Sequence, residues 1–493
     1  MSDSVSANSI TITSRQVLHC ANESSWKALD APFRLGPFDQ IAGFVPIQIV
    51  WIFEQPRNAD VQLIPHERLQ RALSSLLDYY PHLTGRIQIN SSDGIREITR
   101  LGTGAELVLA KCTEPLDAFL PPQNPPAGSI MLFPGAGNAL LAPFDPTTIF
   151  AVQLTRFACG GVALGVRVHH SVCDGDGFFQ VVRDLAELYP SILSDDVPSL
   201  AHPPHIRPYM SELVGAAIAP EERQAVLGYK SAQYYAGAKQ QVEGDAAKDI
   251  DISSFAPPPH AIEGRFLRYS SRELSVLKAN ATDPAGGWVS TFDALAAYIH
   301  QRVYRARRRL YASDATLGTL SPPDFLTPVN LRTRLGLSPR YVPNALFTTD
   351  ITTLPPDVVA DGPLWQVARA VHDLTRSPAL DGAAVTQTLR WIAAQPDMNQ
   401  IESAFRYGSG SFMVSQWNKF DMYAGCAFDV PPVLASPPFT PNSLVDGLAY
   451  FLPPEPRHLD AGAIDVCLAL TEPVWAVFDQ GERSFKIDQQ RQH

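Results

Sequence analysis

The stretch Val166-Arg167-Val168-His169-His170-Ser171-Val172-Cys173-Asp174-Gly175 decides how this sequence is interpreted. Its alternating apolar residues predict a strand that ends at the histidines, with Asp174 and Gly175 in the turn that follows. A histidine at a strand end can project into a cleft, where a pKa near ~6.5 suits it to accept a proton at neutral pH. An H-x-x-x-D spacing also arises by chance, so His170 and Asp174 are either an imidazole with its orienting carboxylate or a solvated turn.

Strand and helix patterns alternate through the whole chain around this motif. In the first half they predict strands at 46–53, 84–90, 95–100, 150–157 and 162–169, and helices at 67–80 and 178–189. A Pro/Gly-rich loop is expected at 121–146. In the second half they predict strands at 264–269, 325–330, 345–351 and 411–417, and helices at 271–281, 290–310 and 364–375. The fold class expected from this mixture is α/β, more specifically mixed α+β.

The chain is long enough for two domains, because its 493 residues exceed the roughly 250–300 at which single cores stop growing. Residues 195–262 are rich in proline around one helical segment near 221–237, with a charged stretch at 243–251 that is expected to be mobile. We predict an N-terminal domain at 1–200 that carries the motif and a linker at 201–262. A C-terminal domain follows at 263–493, with part of it packing on the N-terminal sheet.

Composition excludes several classes of protein. The sequence has no run of eighteen apolar residues, and its N-terminus lacks the basic and apolar regions of a secretory signal. The formal net charge of −11 disfavours nucleic-acid binding, and the six cysteines form no C-x-x-C pair that would indicate a structural zinc site. We therefore expect a cytoplasmic protein with no metal, no membrane span and no nucleic-acid partner.

Several segments together resemble one enzyme family. His170-Ser-Val-Cys-Asp174-Gly175, preceded by Val152–Phe157 and Cys159-Gly160-Gly161, resembles the BAHD acyl-CoA-dependent acyltransferases, especially the fungal branch with trichothecene acetyltransferases. Other matching segments follow in the same order: Tyr80–Arg86, Val329–Arg332, Tyr341–Asn344 and Ser415–Trp417, with Phe420 and Tyr423. The resemblance runs from about residue 45 to Phe478.

The resemblance implies two similar domains of the chloramphenicol acetyltransferase type, with a substrate channel between them. His170 would lie at the centre of the channel and remove the proton of a hydroxyl or amine on a small acceptor, expected to be a secondary metabolite. Acyl-CoA would be the cosubstrate, with no tightly bound cofactor and no acyl-enzyme. Asp174, Gly175 and Arg332 would be structural, with Arg332 as the partner of the Asp174 carboxylate. A monomer is expected.

Other site residues are less sharply indicated. Asn344 and Ser415 are candidates for the donor that stabilises the oxyanion or lines the acyl site. Ser290 and Thr291, at the start of a predicted helix, would offer N–H groups to the phosphates of CoA, and Trp417 is a further candidate at the CoA site. The Arg302–Arg309 cluster either pairs with a helix C-terminus or binds phosphate. Cys173 is disfavoured as a nucleophile, since no oriented base is predicted beside it.

The chain also departs from the family pattern. Cys426-Ala427-Phe428-Asp429-Val430 stands where the family has a D-F-G-W-G loop, and Pro343 replaces the usual glycine before Asn344. These departures leave two alternatives open. One is a condensation-type enzyme that takes its acyl group from a carrier protein, because His169 and His170 also satisfy H-H-x-x-x-D-G. The other is a non-catalytic binding protein that keeps the same fold.

Overall fold

The structure is a computed structural model that describes residues 10–43, 45–57, 62–120, 130–132, 145–193, 198–237, 260–351, 354–405, 407–438, 444–458 and 460–481. Its strands are β1 (Ile10–Leu18), β2 (Phe33–Arg34), β3 (Pro46–Phe53), β4 (Arg86–Ile89), β5 (Arg96–Thr99), β6 (Ala105–Cys112), β7 (Ile130–Leu132), β8 (Phe150–Phe157), β9 (Val162–His169), β10 (Tyr234–Ala236), β11 (Ile262–Tyr269), β12 (Phe325–Asn330), β13 (Leu346–Ile351), β14 (Ile401–Ser403), β15 (Phe412–Gln416), β16 (Leu434–Ser436), β17 (Leu448–Leu452) and β18 (Ile464–Thr471).

The helices pack on the faces of these strands or in the connections between them. They are α1 (Ser24–Lys27), α2 (Pro37–Ile41), α3 (His66–Tyr79), α4 (Gly175–Ser191), α5 (Pro220–Leu227), α6 (Ser271–Asn280), α7 (Thr291–Ser313), α8 (Pro356–Asp361), α9 (Leu364–Thr375), α10 (Gly382–Ala393) and α11 (Glu472–Gln480). The predicted mixed α/β fold is confirmed.

Two large mixed sheets organise the molecule. One has six strands in the order β1-β6-β8-β9-β3-β16, and the other has seven in the order β13-β12-β15-β17-β18-β11-β7. Each half of the chain contributes one strand to the sheet of the other half. Leu434 of β16 pairs with Ile52 of β3, and Met131 of β7 pairs with Phe266 of β11. The domain limits at residues 200 and 263 stay a prediction.

Strand β9 is the element that carries the motif into the molecule, and all eight of its residues are buried. Its alternate side chains Val162, Leu164, Val166 and Val168 belong to the same apolar core as the buried faces of α3 and α4. A strand buried on both faces has a near-continuous apolar sequence, which Val162–Gly165 shows, whereas Val166–His169 alternates. Each large apolar side chain buried in this way contributes roughly 1.5–3 kcal/mol.

Helix α4 begins three residues earlier than predicted, because the Asp174 carboxylate caps it by accepting a hydrogen bond from the Gly177 N–H at 3.1 Å. Strand β4 begins at Arg86 rather than at residue 84, since Pro81–Thr84 forms a 3₁₀ turn. The helix predicted near 221–237 ends at Leu227, and Tyr234–Ala236 pairs instead with β14.

The loop predicted at 121–146 is wrong at Ile130–Leu132, which forms β7 through pairing with β11, more than a hundred residues away in the chain. Such a long-range partner leaves no local signal in three residues. Most of that loop lies outside the described residues, as does the stretch 243–251.

Candidate active site

His170 directly follows β9, and its main chain is held on both sides. Its N–H donates to the Val45 carbonyl at 3.0 Å, and its carbonyl accepts from the Asn344 Nδ2 at 2.8 Å. The half-buried side chain lines a cavity of about 940 Å³. This volume is within the range that accommodates a drug-sized ligand.

The cavity lies between the two large sheets. Gln48 on β3 and His170 line it from the first sheet, whereas Thr327 on β12 and Ser415 on β15 line it from the second. The arrangement fits the predicted channel with His170 in its wall.

The two adjacent histidines have different surroundings. The His169 ring is buried and its Nδ1 accepts from the Ser171 N–H at 3.1 Å, so it stabilises the turn, and burial lowers its pKa to about 3. Burial also lowers the pKa of His170, although its own carbonyl, Asp174 and Asn344 act in the opposite direction. His170 is therefore neutral at physiological pH, the state that a general base requires.

Asp174 and Arg332 form a buried, two-pronged ion pair. Both guanidinium-to-carboxylate distances are 2.8 Å, and the carboxylate also accepts from the main-chain N–H groups of Gly177 at 3.1 Å and Ala345 at 3.0 Å. Burial alone would raise the pKa of Asp174, but attraction to Arg332 and these hydrogen bonds hold it below its usual value. The carboxylate is engaged in holding the motif turn on the segment after β12.

Two glycines allow this turn to pack closely. A Cβ at Gly177 would collide with the Val342 carbonyl oxygen, and a Cβ at Gly175 would lie 3.3 Å from the Trp417 indole nitrogen. Gly175 was predicted to be structural. Gly177 is the tighter of the two, and the D-G-x-G spacing was the only sequence signal for it.

The oxyanion candidates lie in different places. Ser415 lines the cavity, and its hydroxyl has no hydrogen-bond partner within the described part of the chain. Asn344 is 1% exposed and lies behind His170, where its Nδ2 already donates to Asp39 and to the His170 carbonyl. The expectation that Asn344 donates to an oxyanion is therefore at odds with the geometry, because its N–H groups are occupied.

The residues predicted to bind CoA also differ in whether they line the cavity. Ser290 and Trp417 line the cavity, but Thr291 is not among the described residues that do so. Ser290 and Asp293 form a capping box at the start of α7, with hydrogen bonds of 2.7 and 3.1 Å. The buried Asp293 carboxylate lies in the first turn of the helix. Because a second negative charge is disfavoured there, this N-terminus should bind phosphate less well than the sequence suggested.

An aromatic and cationic rim was missed by sequence reasoning. Trp288 is 55% exposed at the cavity, with the Arg376 guanidinium 5.1 Å and the Lys278 ammonium 5.7 Å from its ring. Lys278 lies ten positions before Trp288 and Arg376 lies 88 positions after it, so the three residues form no recognisable sequence motif. The rim offers stacking and positive charge at the same mouth as Ser290.

Three arginines of the 302–309 cluster have structural partners. Arg302 packs on the Phe478 ring at 3.9 Å, Arg307 pairs with Asp446 at 2.7 Å, and Arg308 pairs with Asp361 at 2.6 Å. None of these three is among the described residues that line the cavity. The structural interpretation of the cluster is favoured. Cys173 is also buried outside the lining, and burial raises the pKa of its thiol well above the usual value.

Hydrogen bonds and a ring contact hold the divergent segment Cys426–Val430 against the core of the six-stranded sheet. The Asp429 carboxylate accepts from the Ile64 N–H at 2.6 Å, from Arg68 at 2.7 Å and from the Tyr189 hydroxyl at 2.9 Å. Phe428 packs edge-on against the Tyr189 ring at 5.1 Å. The loss of the family's loop sequence has not removed the connection between the two halves here.

The sequence profile of the Transferase family matches residues 8–482 of the chain. The chain belongs to this family, the BAHD acyltransferases. It is therefore an acyl-CoA-dependent acyltransferase, with acyl-CoA as its cosubstrate. The predicted family is confirmed.

Relatives of this BAHD protein come from fungi and plants. It is 22% identical over 446 residues to the acyltransferase AFT15-1 of Alternaria alternata, covering 79% of this chain and 81% of the other. It is 27% identical over 390 residues to putrescine hydroxycinnamoyltransferase 1 of Oryza sativa subsp. japonica, covering 72% and 79%.

Two solved structures share the fold of this BAHD chain. The structure of F. graminearum TRI101 with coenzyme A and T-2 mycotoxin has a TM-score of 0.61 at 18% identity, covering 92% of this chain and 97% of that one. Vinorine synthase has a TM-score of 0.61 at 15% identity, covering 95% and 96%. Among the described residues, no His, Cys, Asp and Glu cluster suits a metal ion and no helix is long and apolar enough to cross a membrane.

Proposed function

We propose that the protein transfers an acyl group from acyl-CoA to a hydroxyl or amine of a small acceptor, with His170 as the general base. The observation that carries this proposal is the position of the His170 imidazole, which lines the 940 Å³ cavity between the sheets while Asp174 and His169 are both engaged elsewhere. Burial lowers the pKa of His170, so the free base is the dominant form at neutral pH.

The reaction is one direct transfer. His170 takes the acceptor's proton as the acceptor's oxygen or nitrogen forms a bond to the thioester carbonyl carbon, and the carbonyl oxygen becomes an oxyanion. The Ser415 hydroxyl donates a hydrogen bond to this oxyanion. The intermediate then expels the CoA thiolate, which receives the proton held by His170. General-base assistance typically contributes ~10²–10⁴ in rate, and an oxyanion donor ~10²–10³.

The rim formed by Trp288, Lys278 and Arg376 gives CoA a place to bind at one mouth of the cavity. The adenine can stack on the exposed Trp288 ring, and the two cations can pair with phosphates. Ser290 and Trp417 line the same cavity. The acceptor then enters from the other side.

The acceptor class is inferred from the size of the cavity and from the relatives. The names of the relatives point to a polyamine, putrescine, in one case, and the TRI101 structure holds the mycotoxin T-2. We infer a small secondary metabolite with a nucleophilic hydroxyl or amine. A cytoplasmic monomer remains the prediction from the sequence.

The test follows free-thiol release from acetyl-CoA with a panel of small alcohols, polyamines and trichothecenes. Wild type, His170→Ala and the surface control His66→Ala are compared after each is shown to bind CoA. Acceptor-dependent release that falls at least ~10²-fold in His170→Ala alone supports the proposal. Equal rates in wild type and His170→Ala refute it.

The same assay separates the two alternatives. Release from an acyl carrier protein but not from acyl-CoA would identify a condensation-type enzyme. Binding of an acceptor with no turnover by any variant would identify a non-catalytic member of the fold.

A further inference from the structure

A chain of buried polar contacts lies directly behind His170. Asp39 on α2 is 1% exposed, and one oxygen of its carboxylate accepts from the Gly36 N–H at 2.8 Å. The other oxygen accepts from the Asn344 Nδ2 at 2.8 Å and from the Asn344 main-chain N–H at 3.2 Å. The same Asn344 Nδ2 donates to the His170 carbonyl at 2.8 Å. The carboxylate of Asp39 thus reaches the strand end that carries His170 through one amide group.

These contacts determine which way the Asn344 amide faces. Only a nitrogen can donate to both the Asp39 carboxylate and the His170 carbonyl, so Nδ2 must occupy that side. Asn344 Oδ1 must then point the other way. It is buried and has no hydrogen-bond partner among the described residues.

A second unpaired atom belongs to the residue whose carbonyl Asn344 contacts. His170 Nδ1 is also buried and without a hydrogen-bond partner among the described residues. The Asn344 side chain and the His170 carbonyl both raise the pKa of the His170 ring, as hydrogen-bond acceptors next to an imidazole N–H do. Buried polar atoms are rarely left unpaired, so two of them on adjacent side chains are natural partners.

We propose that Asp39 and Asn344 are positioning residues that keep His170 in the tautomer protonated on Nδ1, so that Nε2 is the base facing the cavity. Asn344 Oδ1 and the His170 carbonyl provide the acceptors for Nδ1–H, and Asp39 prevents the Asn344 amide from rotating its nitrogen towards the ring. This assignment rests on the proposed role of His170 as the base. It replaces the expected role of Asn344 as an oxyanion donor.

Asp39 has a specific part in this arrangement. An asparagine at position 39 keeps the volume but has only one acceptor oxygen. It must then present an N–H either to the Gly36 N–H or to Asn344, and both of those groups are donors. Asp39→Asn should therefore loosen the amide of Asn344 without creating a cavity.

The first measurement reads the tautomer without any substrate. Protein labelled with ¹⁵N-histidine is examined by NMR, and the His170 signals among the 12 histidines are identified by their loss in His170→Ala. Wild type should show a protonated Nδ1 and an unprotonated Nε2 at His170. A wild-type ring protonated on Nε2 would overturn the proposal, and this result does not depend on any variant folding.

The second measurement compares Asn344→Ala and Asp39→Asn with wild type. In Asn344→Ala the His170 ring should become a mixture of tautomers, and kcat should fall about tenfold to hundredfold, because mispositioned bases lose rates of this order. KM for acyl-CoA should stay within about threefold. Asp39→Asn should change the same two quantities by a smaller amount.

Asn418→Ala is the matched control, since the amide oxygen of Asn418 is likewise buried without a partner among the described residues. It should leave the His170 tautomer as in wild type. An unchanged tautomer and kcat in Asn344→Ala would also overturn the proposal, because the His170 carbonyl alone would then suffice. A tautomer that shifts as expected in a protein without acyl transfer would support the positioning role and contradict the proposed function instead.

Discussion

Replacing Arg332 with methionine removes the partner of a buried carboxylate while keeping an unbranched apolar side chain of similar length. Asp174 is 1% exposed and would retain only the main-chain N–H groups of Gly177 and Ala345 as donors. Removing one partner of a buried pair typically costs ~3–5 kcal/mol, because it leaves an uncompensated charge. We expect Arg332→Met to lose about that much free energy of unfolding at pH 7.

The loss should depend on pH in a defined direction. In wild type, Arg332 holds the pKa of Asp174 below its unfolded value, so this stabilisation is present above that value and is lost as the pH falls through the folded pKa. In Arg332→Met, the effect of burial on the Asp174 carboxylate is no longer outweighed by attraction to Arg332. The pKa of Asp174 in the folded variant therefore rises above its unfolded value. The variant then becomes less stable as the pH rises, and the gap from wild type should widen from about pH 4 to about pH 7.

Urea unfolding followed by tryptophan fluorescence measures the difference in free energy of unfolding between wild type and Arg332→Met at each pH. With a slope of roughly 3 kcal/mol per M, a loss of ~3–5 kcal/mol moves the midpoint by about 1 to 1.7 M. The double variant Arg332→Met with Asp174→Asn removes the buried charge and should recover about half of the loss. The argument that the buried charge causes the loss of stability would be refuted by either of two results. One is a difference in free energy of unfolding that stays constant with pH, and the other is a double variant no more stable than Arg332→Met.

Three further predictions concern the site and its supporting core. Ser415→Ala should lower kcat by ~10²-fold or more with little change in KM for acyl-CoA, measured by thiol release, and an unchanged kcat would remove it as the oxyanion donor. Gly177→Ala should lower the thermal midpoint by several degrees, since its Cβ collides with the Val342 carbonyl, whereas an unaltered midpoint would show that α4 can shift freely. Burial lowers the pKa of His300 to about 3, so its native state stays neutral while the unfolded chain gains a proton below about pH 6.5. His300→Phe should therefore weaken the loss of stability on acidification by about 2.3 kcal/mol between pH 6.5 and 4.5, and equal pH dependence in both proteins would contradict this.

The parts of the site that sequence reasoning predicted are those that follow one another along the chain. Strand β9, the histidine at its end, the turn at Asp174 and the helix after it form one local unit whose apolar pattern is visible in about thirty residues. The Asp174–Arg332 pair spans 158 positions, and only the resemblance to a family suggested it. No propensity of either residue would have paired them.

The parts that were missed depend on contacts between distant segments. Asp39 meets Asn344 across 305 positions, and neither residue stands in a pattern that indicates the other. Asn344 was expected to face the oxyanion because its segment was recognised, but the direction of its amide is set by Asp39. Similarly, the capping box at Ser290 was visible in sequence, whereas its effect on a bound phosphate depends on the burial of the Asp293 carboxylate.

The contacts around His170 imply that catalytic competence requires the two sheets to be assembled. His170 follows a strand of the six-stranded sheet, but the side chains that hold its turn, Arg332 and Asn344, lie in the connection between β12 and β13 of the seven-stranded sheet. Ser415 also comes from the second sheet. Separation of the sheets by even an ångström would release the carbonyl of His170 and leave the Asp174 carboxylate unpaired, although each apolar core could persist. Activity should therefore be lost at lower denaturant concentrations than the burial of the core tryptophans, because polar contacts across an interface fail before the packed cores on either side of it.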